Sequence, residues 1–398
     1  MRIYRTFLAL VAACFFYSGF VQLVRWSRRR GRRGQYVVIL NYHRAAIGDL
    51  GAHLRYLRRH YRVLSLDHAL EDLYGPFSRD AAKSTSASPL AQGRDRRSPL
   101  VITFDDGYYD NYTHAARLAA ELRVPITLFL VPGYMESRQR FWWYEAEALV
   151  RNAREKEVTF EKHTYSLAQP ADQLALRQWI DIRVRTANAV SARESFIAST
   201  RAALDAPDDT TSDDPDTLPF GWDEAYELLA NPFVTFGAHT MHHPILACLS
   251  NPAEVRDEVT ACRTALEQRL GRQMTAFAYP VGKGEDIDER AVRAVRQVGY
   301  RWAVTTIPGY NTPATEPRLL RRISTDPDEP IPVLAAQAVG IWHFFALSLL
   351  RNLPGMLPGM LPGMRRRATT SNMASPSDFD ATDTLDVDQV PGDRGMPL

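Results

Sequence analysis

Cysteine is nearly absent. The 398 residues contain only Cys14, Cys248 and Cys262. None stands at metal-finger spacing and three thiols supply no disulfide framework, so the redox compartment stays open. A strong charge of one sign is missing too: 48 Lys and Arg face 46 Asp and Glu, a net +2. That balance hides an uneven layout. Arg25, Arg28, Arg29, Arg30, Arg32 and Arg33 cluster near the front, whereas Asp378, Asp380, Asp383, Asp386 and Asp388 make the tail acidic. A basic cluster beside an apolar segment marks a membrane flank more often than a nucleic-acid site, so no nucleic-acid partner is expected. The length and an ordinary globular composition permit one large α/β domain or two smaller ones.

Long hydrophobic runs are also few. Phe7 to Val24 is apolar apart from Ser18 and Gln22, long enough for a short membrane span. No clear small-x-small cleavage site precedes the arginines, so residues 1–34 read as an uncleaved anchor with a basic flank rather than a signal peptide. A protein anchored in a bacterial inner membrane is expected. Arginines outnumber those at Arg2 and Arg5 on the C-terminal side, which by the positive-inside rule turns the globular part to the cytoplasm. An extracytoplasmic enzyme shows the reverse bias, so the side of the membrane stays open.

After the anchor, Tyr36 to Leu40 reads as a strand ending in Asn41-Tyr42-His43. A helix from Leu50 to His60 and a strand from Arg62 to Leu66 follow. Residues 75–99, rich in Ser, Ala, Arg and Pro without periodicity, read as a surface loop. Strand 100–105, helix 111–122 and strand 125–131 come next. A mostly helical, charged insertion, 141–222, interrupts the pattern and has an acidic break at Asp208 to Asp216. Strand 233–238, helix 252–269, strand 274–279, helix 286–298 and strand 301–306 resume it. Such alternation implies a parallel sheet, here closed into a barrel over 35–330. An apolar helix is expected within 331–352, around Val333 to Leu350. A threefold Leu-Pro-Gly-Met repeat (353–364) begins a disordered tail, 353–398, because proline in each repeat forbids a regular helix.

The polar residues fall at strand ends. His43, Asp105, Asp106, His239 and Tyr279 all close predicted strands, and in a βα barrel those ends share one mouth. Asp105 and Asp106 follow Leu100-Val101-Ile102-Thr103-Phe104 and precede Gly107, which forces a turn. His239 and His243, four residues apart, would share one side of a helical turn cut short by Pro244; spacing alone leaves His242 open as a ligand. Two histidines and a carboxylate suit a divalent ion such as zinc. Adjacent carboxylates pointing to opposite sides suit a division of labour, one binding metal and the other taking a proton from water. A divalent ion makes water acidic enough to supply hydroxide near neutral pH, and an imidazole is the natural acid for a departing amine. The residues therefore describe a metal-assisted hydrolase.

Thr103-Phe104-Asp105-Asp106-Gly107, His239-Thr240-Met241-His242-His243-Pro244 and Phe277-Ala278-Tyr279-Pro280-Val281-Gly282 resemble successive motifs of the NodB-homology polysaccharide deacetylases (carbohydrate esterase family 4). The similarity runs from Val37 to Ile323, apart from the two insertions. It implies a distorted (β/α)7 barrel that hydrolyses N-acetyl groups on amino sugars, with Asp105 as general base and Asp106, His239 and His243 as ligands of a divalent metal, foremost Zn2+. Many relatives take their acid from a late Leu-x-His motif, which has no convincing copy after Arg301. Asn41-Tyr42-His43 instead resembles the permuted branch, which includes poly-N-acetylglucosamine deacetylases, and assigns the acid to His43. Two departures stand out: Ala278 occupies the place of an arginine that orients the base, and Val281 replaces a tyrosine. The family's oxyanion donor would be the Val281 backbone N–H, which tolerates that change.

Tyr279, Pro280 and Val281 are the candidate substrate contacts of this third motif. Trp142, Trp143 and Trp302 are candidate sugar-stacking platforms, although tryptophans are often simply core. The expected substrate is an N-acetylated glycan or glycolipid. The rival reading is a catalytically inactive, membrane-anchored barrel that only binds glycan.

Overall fold

The computed structural model describes residues 2–31, 36–75, 97–208 and 214–341. Among these residues ten strands form: β1 (Val38–Tyr42), β2 (Arg62–Val63), β3 (Pro99–Phe104), β4 (Ile126–Leu130), β5 (Glu157–Phe160), β6 (His163–Ser166), β7 (Val234–Ala238), β8 (Ala276–Ala278), β9 (Trp302–Val304) and β10 (Ile323–Ser324). Seven lie on one path in the order β10-β1-β3-β4-β7-β8-β9, with β2 added beside the start of β3. Every pair in this sheet is parallel. The sheet curls, and its ends approach through one segment: Leu320 bridges Val304 of β9, while Ile323 and Ser324 pair with β1. A curled parallel sheet of the (β/α)-barrel type is therefore the scaffold.

Strand periodicity decides what each face buries. On the outer face, Val38, Leu40, Tyr42, Leu100, Ile102, Phe104, Leu128 and Leu130 pack with the helices. The opposite set, Val37, Ile39, Val101, Phe129, Ala276, Ala278, Trp302 and Val304, forms a second cluster inside the curl. The helix Leu66–Tyr74 completes that interior with Leu66, Ala69, Leu70 and Leu73. This corrects the expected strand 62–66: only Arg62 and Val63 pair, and the i, i+3, i+4, i+7 apolar spacing from Leu66 makes a helix. Its Asp67 accepts hydrogen bonds from Thr275 Oγ1 and Trp302 Nε1, at the starts of β8 and β9. The helix thus closes the N-terminal end of the barrel.

The 141–222 segment is not purely helical. Besides the helices Glu145–Arg151, Pro170–Arg185 and Val190–Ala203, it carries the hairpin β5–β6. Glu161 and Lys162 turn that hairpin with φ of 48° and 70°, the hand that matches strand twist. Its helices and hairpin share a core of their own around Leu149, Leu176, Ile180 and Ile197.

At the front, among the described residues, no single helix is long and apolar enough to cross a membrane. Phe7–Tyr17 and Phe20–Ser27 reach that length and hydropathy only together, and they are bent by 69°. Ala12 and Val21 of this pair pack against Ala335, Ala336, Val339 and Ile341; the helix there is Ile331–Ala338. The rest of the apolar segment expected to Leu350, the repeat, the tail and most of the 75–99 loop lie outside the described residues.

Candidate active site

Asp105 leaves β3 on the interior register of Val101 and Thr103, and it is 1% exposed. Asp106 and Gly107 then both adopt left-handed backbone, with φ of 74° and 75°. The turn begins at the second of the two adjacent carboxylates, Asp105 and Asp106. Both are buried, and both lie within electrostatic reach of His239 and His43.

A residue the sequence reading missed completes the pair. Arg322, fully buried just before β10, donates from Nη1 to Asp105 Oδ1 (2.7 Å) and from Nη2 to Asp105 Oδ2 (2.6 Å). Its remaining donors reach Asn41 Oδ1, Thr103 Oγ1 and the Thr305 carbonyl. A bidentate guanidinium fixes both position and charge of a carboxylate. Burial pushes the Asp105 carboxyl up, but Arg322, joined by His239 and His43, more than offsets it and holds the group far below the usual carboxylate range. The resemblance places an arginine where Ala278 stands; here the guanidinium on Asp105 comes from Arg322, on the segment just before β10.

Asp106, His239 and His243 are all buried, and their ligand atoms lie within 4.8 Å of one another. Asp106 Oδ1 stands 3.4 Å from His239 Nε2 and 3.4 Å from His243 Nε2. Those separations are long for hydrogen bonds. Ligands at about 2.1 Å from a tetrahedral zinc stand roughly 3.4 Å apart, so the donor set fits such an ion. His239 Nδ1 lies 2.8 Å from the Ala278 carbonyl, so it carries the proton and leaves Nε2 as the lone-pair atom. Burial lowers the His239 pKa, but Asp106, Asp105 and the Ala278 carbonyl together raise it overall. Burial, reinforced by His239, pushes His243 down to about 3.

The two histidines do not share a helical turn. Residues 239–245 form a loop in which Thr240 and His243 take φ of 62° and 54°, and Thr240 Oγ1 accepts the His243 N–H at 3.0 Å. Close packing on Gly133 shapes this loop, since a Cβ there would stand 2.6 Å from the Met241 carbonyl oxygen. The ambiguity over His242 is removed: its Nδ1 lies 2.7 Å from Glu258 Oε1, which engages it away from the triad.

His43 follows β1 at the same mouth, half-buried. Its backbone carbonyl accepts from Asn111 Nδ2 (2.8 Å), and the next turn is held by Asp110, whose Oδ2 accepts from Arg44 Nε and the N–H groups of Ala45 and Ala46. Val281 has φ of 58°, and among the described residues no protein acceptor takes its N–H.

Four aromatic or neighbouring contacts change meaning. Trp302 is fully buried in the barrel interior, stacked on Tyr74 and bonded to Asp67, so it offers no face to a sugar. Trp142 is buried as well, and its indole N–H donates to the His243 carbonyl at 2.9 Å. Tyr279 lies on the outer register with Phe277, its hydroxyl donating to Arg318 O, and Pro280 beside it is buried. Trp143 alone of the three tryptophans keeps partial exposure; its ring centroid is 4.6 Å from that of His243, and it bonds Tyr108.

The family model described as polysaccharide deacetylase matches residues 92–182 and 192–303, which takes in most of the 141–222 segment. No curated protein matches the chain. Among solved structures, the Streptococcus pyogenes deacetylase PplD in complex with acetate is 15% identical, with a TM-score of 0.46, covering 76% of this chain and 98% of that one. The BpsB deacetylase domain from Bordetella bronchiseptica is 14% identical (TM-score 0.45; 74% and 97% covered). IcaB from Ammonifex degensii is 17% identical (TM-score 0.45; 77% and 98% covered).

Proposed function

We infer the reaction of this chain from its family: it belongs to the polysaccharide deacetylases. The substrate class is an N-acetylated glycan, and the reaction is hydrolysis of its acetamide to acetate and a free amine. The finer reading is a metal-dependent enzyme in which Asp106, His239 and His243 hold a divalent ion, foremost zinc. The observation that carries it is the buried triad of one carboxylate and two imidazoles, 3.4 Å apart along two edges, beside a second carboxylate clamped by Arg322.

A divalent ion at that triad supplies Lewis-acid polarisation of the acetyl carbonyl and acidifies water. Asp105 accepts the proton of the attacking water. Arg322 keeps that carboxylate ionised and in one orientation until it does so. The Val281 N–H, which has no protein acceptor among the described residues, donates to the oxygen that gains charge as the carbonyl is attacked. His43 then gives its proton to the nitrogen as the C–N bond breaks. Trp143, partly exposed beside His243, is the platform for a pyranose face.

Attachment to a bacterial inner membrane is supported by the front of the chain, where Phe7, Leu10, Tyr17, Leu23 and Trp26 are solvent-exposed beside an arginine-rich stretch. A reporter fused after Leu350 assigns the side: a cytoplasmic domain selects lipid-linked precursors, and an exported one selects polymer. The deciding experiment measures acetate release from N-acetylated glycans and lipid-linked sugars, with and without chelator. Zinc-dependent acetate release is expected. A protein that retains glycan on a column yet releases no acetate at any metal concentration would instead be the binding-only barrel.

A further inference from the structure

The two histidines of the triad are held by different parts of the molecule. His239 is oriented by the barrel, through its ring Nδ1 and the Ala278 carbonyl at the end of β8. His243 has no such anchor: its Nδ1 is buried and without a partner among the described residues. Something else must fix it, because its left-handed φ of 54° is unfavourable for a residue with a Cβ.

Besides Thr240 Oγ1, which accepts its N–H at 3.0 Å, the contacts that hold its backbone carbonyl reach it from the 141–222 segment. Trp142 Nε1 donates to the His243 carbonyl at 2.9 Å, and Arg193 Nη1 reaches the same oxygen at 3.5 Å. Arg193 Nη2 donates to the preceding carbonyl, His242 O, at 2.9 Å. Both side chains are 3% exposed, and the guanidinium lies 5.8 Å from the Trp142 ring centroid. A planar fork spanning two consecutive carbonyls sets the rotation of the peptide between them. The Trp143 ring, 4.6 Å from the imidazole, fills the space beside it.

We propose that Arg193 and Trp142 are positioning residues for the metal site, locking His243 in its left-handed conformation so that Nε2 meets Asp106 and His239. The site is accordingly shared: the barrel supplies three ligands, and the helical segment determines whether the third is in place. This rests on the assignment of Asp106, His239 and His243 as metal ligands.

The test uses the full chain and measures zinc affinity by competition with a chromophoric chelator. The variants are Arg193→Lys, Arg193→Ala and Trp142→Phe, with His239→Ala as the reference for a lost ligand. Loss of an outer partner of a ligand typically weakens metal binding 10- to 100-fold. We expect losses of that order in Arg193→Ala and Trp142→Phe, a smaller loss in Arg193→Lys, and recovery of acetate release when zinc is raised. Melting of the metal-free forms separates this from general damage, and Trp142→Phe keeps the ring while removing only the N–H and part of the indole. If His239→Ala loses zinc while Arg193→Ala and Trp142→Phe bind it as tightly as wild type, the positioning role is wrong and the ligand assignment stands. If wild type and His239→Ala bind zinc alike, the ligand assignment fails and this inference falls with it.

Discussion

The two ends of the barrel are made from the same parallel strands and have opposite characters. At the closed end, the helix Leu66–Tyr74 fills the curl with leucines, and its Asp67 is satisfied by neutral donors, Thr275 and Trp302. At the mouth, four non-glycine residues, Asp106, Thr240, His243 and Val281, adopt left-handed backbone. Each such conformation costs about 1–3 kcal/mol and persists only where the surroundings enforce it. Beside the Asp105–Arg322 pair, two imidazole nitrogens and a carboxylate oxygen lie within 4.8 Å of one another. One end holds the fold and the other holds chemistry in place. Substitutions should therefore register in stability at the closed end and in turnover at the mouth.

Asp105→Asn gives the sharpest contrast. Removing a general base lowers the rate by about 10²–10⁴-fold, and the upper part of that range is expected here. Zinc content should match wild type, because the metal ligands are elsewhere. Full turnover in Asp105→Asn, measured as acetate release at saturating zinc, would remove the base from the mechanism and blur the distinction between the two ends.

Arg322→Met breaks the comparison in a second way, because Arg322 serves both roles. Breaking a buried pair by removing one partner costs roughly 3–5 kcal/mol, measurable by denaturant unfolding at pH 7. The pH dependence has a definite sign. With Arg322 present, the Asp105 pKa lies below its unfolded value. The stabilisation is thus present above the unfolded carboxylate pKa and is lost as pH falls through the folded one. Without Arg322, burial is opposed only by His239 and His43, so that pKa rises. The variant's deficit should then be largest near neutrality and shrink in acid, and the acid limb of kcat/KM should move to higher pH. A pH profile identical to wild type would mean that Arg322 does not tune the base.

His43→Ala should lower turnover by about 10²-fold without changing zinc affinity, if an imidazole at the end of β1 protonates the leaving amine. Comparing an activated anilide substrate, whose leaving group needs less protonation, should shrink the deficit. An equal deficit on both substrates would give His43 a different task.

Much of the mouth was legible in the chain, because local patterns carry it. A β-branched run ending in Asp105-Asp106-Gly107 announces a buried strand and a turn, and Phe233 to Ala238 announces the strand before His239. The barrel's closure was not. Arg322 meets Asp105 across 217 positions of sequence, and the strand that follows it is two residues long. An arginine beside Arg321 reads as surface charge until the fold shows it buried. Arg193 is hidden for the same reason, as one basic residue in a charged helical segment. For the histidine loop the spacing points to a helical turn, because spacing reports distance along the chain but not the sign of φ. Where a partner comes from far away, pattern reading has nothing local to use.

Trp302 offers the smallest and most pointed test. Its size and its place on a late strand suggested a sugar platform, yet it lies at the closed end with its indole N–H on Asp67 Oδ1, 2.7 Å away. Trp302→Phe removes that donor and some packing volume, while Thr275 still serves the carboxylate. A loss of about 1–2 kcal/mol in unfolding free energy follows, with kcat, KM and zinc affinity unchanged. A raised KM for the glycan with stability intact would show that the closed end takes part in binding substrate, and the division of labour between the barrel's two ends would fail where it is easiest to see.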